Sequence, residues 1–111
     1  MAYDEDLANR IREQLADETG ITEQRMFGGL GFMLGGHLCV GARGKGGLIA
    51  RVDPGESDEA LSEPHASLME MRGRRLPGWI IVGPEGVDSD EQLAGWVERS
   101  RAFVRTLPPK G

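Results

Sequence analysis

Leu30-Gly-Phe-Met-Leu-Gly-Gly-His-Leu-Cys-Val-Gly41 places apolar residues at a period of two on both sides of a glycine pair. Successive strand side chains point to opposite faces, so Leu30, Phe32 and Leu34 share one strand face, and Leu38 and Val40 share one on the next strand. Gly35-Gly36 supplies a two-residue turn whose positive φ angles cost glycine nothing. The segment therefore predicts an antiparallel hairpin pairing 30–34 with 38–41. Downstream, Arg43-Gly-Lys-Gly-Gly47 reads as a loop and Leu48-Ile-Ala-Arg-Val52 as a third strand, completing a meander.

Upstream the period lengthens to four. Leu7, Ile11 and Leu15 recur on one helical face beside Tyr3 and Ala8. Asp4 caps this helix, Glu5 and Asp6 complement its dipole, and Gly20 provides the stop. Beyond the meander, Asp53-Pro54 is an N-cap followed by proline at the first helical position, and Pro64 limits that short helix to about Leu61. Residues 68–71 and 79–82 read as two more strands, with Leu76-Pro77-Gly78 as the turn between them. Ser89 and Gln92 form a capping-box pattern for a last helix carrying Leu93, Trp96, Val97, Phe103 and Val104, which Pro108-Pro109 terminates. The order is α-β3-α-β2-α. Helices with one apolar stripe and a sheet with one apolar face predict an α+β two-layer sandwich, an antiparallel sheet backed by helices.

The 111 residues fit a single domain, 1–111, able to bury one core without metal or disulfide staples. Cys39 is the sole cysteine, which rules out an internal disulfide and suits a reducing compartment. The acidic start, Met1-Ala-Tyr-Asp-Glu-Asp6, lacks the features of a secretory leader, and no apolar run approaches the roughly 20 residues of a membrane span. A cytoplasmic protein without membrane partners is expected. Eighteen acidic against thirteen basic residues give a charge of −5, which offers no broad basic face for phosphates.

The 17 glycines invite a phosphate-loop reading, and their spacing rejects it. A Walker loop needs glycine five residues before its Gly-Lys pair and a hydroxyl residue after it; around Gly44-Lys45 those places hold Cys39 and Gly46. A dinucleotide motif starting at Gly29 would put its third glycine on Leu34. Both glycine-rich segments lead into strands, not into anion-binding helix starts. His37 and Cys39, two apart on a strand, share a face but stand ~6.5–7 Å apart, too far for a nucleophile and its base. With His65 as the only other soft ligand, a structural zinc site falls short of four. The expectation is no metal, no cofactor and no catalytic residue. Acidic residues fall in the first turns of helices, where the dipole accounts for them. Arg72, Arg74 and Arg75 gather in the predicted second hairpin beside Trp79, a combination found at nucleic-acid and protein interfaces.

Met26-Phe-Gly-Gly-Leu-Gly-Phe32 resembles the signature of the TfoX/Sxy family, in its N-terminal domain. Gly36, Arg51-Val-Asp-Pro54, Glu63-Pro-His65, Gly78-Trp79, Trp96-Val97 and Leu107-Pro-Pro109 follow the same pattern, so the similarity runs over essentially the whole chain. The resemblance implies the order α-β3-α-β2-α and marks Met26, Phe27, Gly28, Gly29, Gly31 and Phe32 as the signature residues. Longer members are regulators of natural competence that act with the cyclic-AMP receptor protein. They carry a second, C-terminal domain of helix-hairpin-helix character, which a sequence ending at Gly111 is expected to lack. The resemblance carries over no catalytic residue. It implies a non-enzymatic regulatory or adaptor module that contacts another protein or a second copy of itself as a homodimer. The alternative is a nucleic-acid-associated transcriptional co-regulator using Arg72, Arg74, Arg75 and Trp79.

Overall fold

The computed structural model describes residues 3–26 and 28–108. Helix α1 (Glu5–Gln14) begins where the Asp4 carboxylate accepts the Leu7 amide at 3.2 Å, and it buries Leu7, Ala8 and Ile11. Four strands follow, β1 (Ile21–Met26), β2 (Gly29–Leu34), β3 (His37–Ala42) and β4 (Leu48–Arg51). Asp53 then accepts the Gly55 amide at the head of a 3-10 turn, Pro54–Glu56, which runs into the short α2 (Ser57–Leu61). Strands β5 (Ala66–Met71) and β6 (Arg74–Val82) and a second 3-10 turn, Pro84–Val87, lead to α3 (Asp90–Val104). The α3 capping box is formed in both directions: Ser89 Oγ accepts the Gln92 amide at 3.1 Å, and Gln92 Oε1 accepts the Ser89 amide at 2.9 Å.

Among the described residues the six strands make one antiparallel sheet in the order β1-β2-β3-β4-β6-β5. Helices α1 and α3 pack on its middle strands. Between the layers lie Ile11, Phe32, Val40, Leu48, Ile80, Leu93 and Val97, all essentially inaccessible to solvent. The α+β class and the helix-backed antiparallel sheet are as expected.

Three features differ from the sequence expectation. The order is α-β4-α-β2-α, because Ile21–Met26 is a strand. Its central residues, Thr22 to Arg25, are all exposed on the edge of the sheet, so no apolar alternation announces it. The second hairpin turns at Arg72-Gly73, not at Leu76-Pro77-Gly78. Arg72 and Gly73 have φ of 54° and 77°, the pair of left-handed conformations a two-residue hairpin turn requires. Leu76-Pro77-Gly78 lies inside β6 as a bulge: between the pairs Leu68↔Ile80 and Glu70↔Arg75, Leu76 to Trp79 face only Met69. Pro77 lacks the amide a ladder would use, and Gly78 takes φ of 83°.

The central hairpin pairs as the sequence predicts, with Leu34↔His37 closing over Gly35 and Gly36. Its register shifts once, however. Phe32 faces Val40 and Met33 faces Leu38, leaving Cys39 as the extra residue of a bulge. Leu38 is thereby turned to the face opposite Val40, contrary to the strict alternation expected; Cys39 and Val40 both enter the core and Leu38 does not.

Candidate functional site: the open face of the sheet

With α1 and α3 on one face, strand alternation sends Gly31, Met33, Leu38, Gly41, Ile49, Ile81 and Ser67 to the other. Two glycines shape this face. A Cβ on Gly31 would stand 2.7 Å from Met26 Sδ and 3.1 Å from Leu38 Cδ1, and one on Gly41 would stand 3.1 Å from Ile49 Cγ2. The bare backbone lets these side chains lie flat across the sheet. Leu38 and Ile49 are almost fully buried there, on the face that α1 and α3 do not cover and outside the core cluster. What remains above them is a groove of about 510 Å³ whose lining includes Met26, Gly31, Ile49, Ile81, Leu68 and Met69, with Glu70 on the β5 side and Arg43, Gly44 and Lys45 at one end.

The loop carrying that basic end is held by backbone. The Arg43 amide donates to Gly47 O at 3.0 Å and the Gly46 amide to Arg43 O at 3.1 Å. Gly47 takes φ of 79°, and any side chain on it would meet Val82 O at 2.3 Å. Among the described residues the Arg43 guanidinium donates only to Gly46 O, at 3.4 Å, and neither Arg43 nor Lys45 pairs with a carboxylate. Two cations thus face the groove mouth with their charge unspent. Methionine walls conform to varied apolar shapes, and a volume in the range of roughly 300–1,000 Å³ is that of a ligand site.

Of the signature residues, Met26 is a wall of this groove, Gly31 leaves room for the side chains of Met26 and Leu38, and Gly29 is where a neighbouring backbone approaches too closely for a side chain. A Cβ on Gly29 would lie 2.0 Å from Ala42 O. Gly28 takes φ of 76° between β1 and β2, Phe32 is wholly buried in the core, and Phe27 lies outside the described residues. The second predicted cluster is not brought together around its aromatic ring. Arg72 sits in the turn, Arg74 opposes Met71 and Arg75 opposes Glu70, all exposed. Trp79 stands at the far end of the bulge, where Arg51 places its guanidinium carbon 5.2 Å from the centroid of the Trp79 ring and 5.7 Å from that of Phe103.

His37 Nε2 donates to Pro108 O at 2.7 Å, tying β3 to the chain after α3. His65 is exposed at φ of 66°, its carbonyl accepting the Gly83 amide. Burial pushes the Cys39 thiol up to about 12. Among the described residues no three His, Cys, Asp or Glu side chains come together as a metal site would require. Sequence reasoning noticed Arg43 and Lys45 only as loop charges and did not single out Ile49, Ile81 or Met69. The available signal was the glycine at alternate positions of adjacent strands, Gly31 and Gly41, which marks a flattened sheet face.

The fold and this face define a small α+β domain with one helix-covered and one open sheet surface. The model of the TfoX N-terminal domain matches residues 13–104, and the chain belongs to that family. No match was found among curated proteins.

Proposed function

We propose that this domain is a non-enzymatic regulatory or adaptor module that takes an extended segment of a protein partner into the groove on its open sheet face. The observation that carries this reading is the groove itself, methionine-walled and flat-floored, with Arg43 and Lys45, which pair with no carboxylate among the described residues, at its mouth. The charge pattern selects the partner's chemistry: aliphatic side chains over Ile49 and Ile81, and a carboxylate toward Arg43 and Lys45. The buried, protonated Cys39 offers no nucleophile, which supports a binding role over a thiol enzyme. A single free thiol fits a reducing, cytoplasmic setting. No helix among the described residues is long and apolar enough to cross a membrane.

Selection of random peptides on the immobilised domain tests the reading. Recovered sequences should combine aliphatic residues with an acidic one, and their amide-shift footprint should centre on Ile49 and Ile81. Lys45→Glu should abolish that binding. Peptides mapping to the helical layer would overturn the reading. So would preferential binding of a mixed-sequence DNA duplex with steep salt dependence, which would point to Arg72, Arg74 and Arg75.

A further inference from the structure

The sheet ends at β1 on one side and at β5 on the other, and the two edges are built differently. Strand β5 pairs with β6 across a register shift, and a bulge of this kind interrupts the ladder and twists the strand. Strand β1 has no such irregularity. Ile21 to Met26 pair residue for residue with β2, and among the described residues no strand pairs with the outer side of β1. Alternate residues of β1 therefore turn an amide and a carbonyl outward, and Thr22 to Arg25 are exposed. A regular edge without proline, lysine or bulge is a template for a further strand. Its two charges, Glu23 and Arg25, have opposite signs, so they repel some partners and fit others.

We propose that β1 pairs antiparallel with β1 of a second copy of this chain, about a two-fold axis through Gln24. Charge decides both the occupant and the register. Opposing side chains of an antiparallel pair share a face, and a one-residue slip breaks that match, so two identical strands pair only about a residue. Centred on Gln24, Glu23 of each copy stands opposite Arg25 of the other, and Thr22 stands opposite Met26. Centred on Glu23 the two glutamates meet, and centred on Arg25 the two arginines meet. Opposite charges directly across a strand pair are favourable and like charges are not. Both residues are on the helix-covered side, since they oppose the core residues Phe32 and Leu30 of β2. Arg25 pairs with no carboxylate among the described residues. Glu23 already accepts from Arg12 on both oxygens, and a carboxylate has lone pairs left for a second guanidinium. The axis stands perpendicular to the sheet, so two six-stranded sheets join edge to edge with their helices on the same side. The contact is short and polar, which makes a weak dimer and not an obligate one. It does not depend on what the groove takes.

Sedimentation equilibrium of the whole protein from about 10 µM to about 1 mM tests this, with amide exchange of β1 followed over the same range. A monomer–dimer equilibrium with a dissociation constant of roughly 0.1 mM is expected, and β1 amides should exchange more slowly as concentration rises. Arg25→Glu and Glu23→Lys each set like charges opposite one another, and each should raise that constant by about tenfold or more. Both positions are exposed, so each variant should remain folded. Mixed in equal amounts, the two variants should recover a dimer close to parent strength, because every glutamate in the mixed contact meets a basic residue. A merely structural role for these residues gives no such recovery. A monomer throughout the range, a dimer of parent strength in Arg25→Glu, or a mixture that stays monomeric would each overturn the proposal. So would assembly beyond dimers, the mark of β1 meeting β5 of the next copy in an open chain.

Discussion

Phe32 and Gly29 sit three residues apart in one strand and matter for opposite reasons. Phe32 fills volume between the layers, so Phe32→Ala leaves a cavity and should cost about 3–5 kcal/mol in urea unfolding. Gly29 matters because it has no side chain: with Ala42 O only 2.0 Å from where a Cβ would stand, Gly29→Val should force β2 away from β3 and lower the unfolding midpoint sharply. Its φ is not in the left-handed region, so the penalty is contact and not backbone strain. Near-native midpoints for either variant would refute these assignments. Cys39 gives a pH signature. Its thiol is pushed from an ordinary 9.0 up to about 12 in the folded protein, so between these values the unfolded chain loses its proton first. Stability is therefore retained below about pH 9 and falls as pH rises toward 12. Cys39→Ala should flatten that limb of the stability profile, and a thiol reagent should label Cys39 at neutral pH only as fast as the protein opens.

Among the elements, those with one buried face were legible in the sequence and those defined by exception were not. The central hairpin could be read because Leu30, Phe32 and Val40 alternate about Gly35-Gly36, and α3 because Ser89 and Gln92 cap an apolar stripe. Strand β1 could not. Its Thr22-Glu-Gln-Arg25 core is solvated on the sheet edge, and it is joined to α1 by side chains, the Arg12 guanidinium gripping both Glu23 oxygens at 2.7 Å. That contact holds the Glu23 carboxyl below the usual range. An exposed pair of this kind is worth only about 0.2–1 kcal/mol, so Glu23→Gln should barely move the midpoint while speeding amide exchange along β1. Leu76-Pro77-Gly78 misled because a bulge and a turn draw on the same residues. At the bulge Gly78 donates to Ser57 Oγ, accepts the Val52 amide, and has φ of 83° with Val52 O 2.7 Å from any Cβ. Gly78→Ala should accordingly cost about 1–3 kcal/mol. The groove stayed hidden because a site made of missing side chains leaves no chemical motif, only glycines.

Across the whole molecule, stability and the proposed binding are assigned to opposite faces of one sheet, and that separation can be tested. The core lies between the sheet and α1 and α3, whereas the basic end of the groove, Arg43 and Lys45, stands at the mouth of the open face and pairs with no carboxylate among the described residues. Reversing both charges, Arg43→Glu with Lys45→Glu, takes the formal charge from −5 to −9, two units per substitution. The loop is shaped by its backbone bonds and by Gly47, neither of which the substitutions touch, so the unfolding midpoint should stay within about 0.5 kcal/mol of the parent. Binding of a selected aliphatic-acidic peptide should nevertheless be lost. In the parent protein that binding should weaken only modestly between low and physiological salt, because one carboxylate meeting the exposed Lys45 and the half-buried Arg43 is partly screened while the apolar contact is not. Phosphate recognition behaves otherwise: each neutralised phosphate releases counterions, and affinity falls by orders of magnitude over the same range. A titration at two salt concentrations, run on parent and double variant, therefore reads the partner's chemistry directly. A shallow salt response abolished by charge reversal places a protein segment in the groove, and a peptide affinity unchanged by the reversal removes Arg43 and Lys45 from the site.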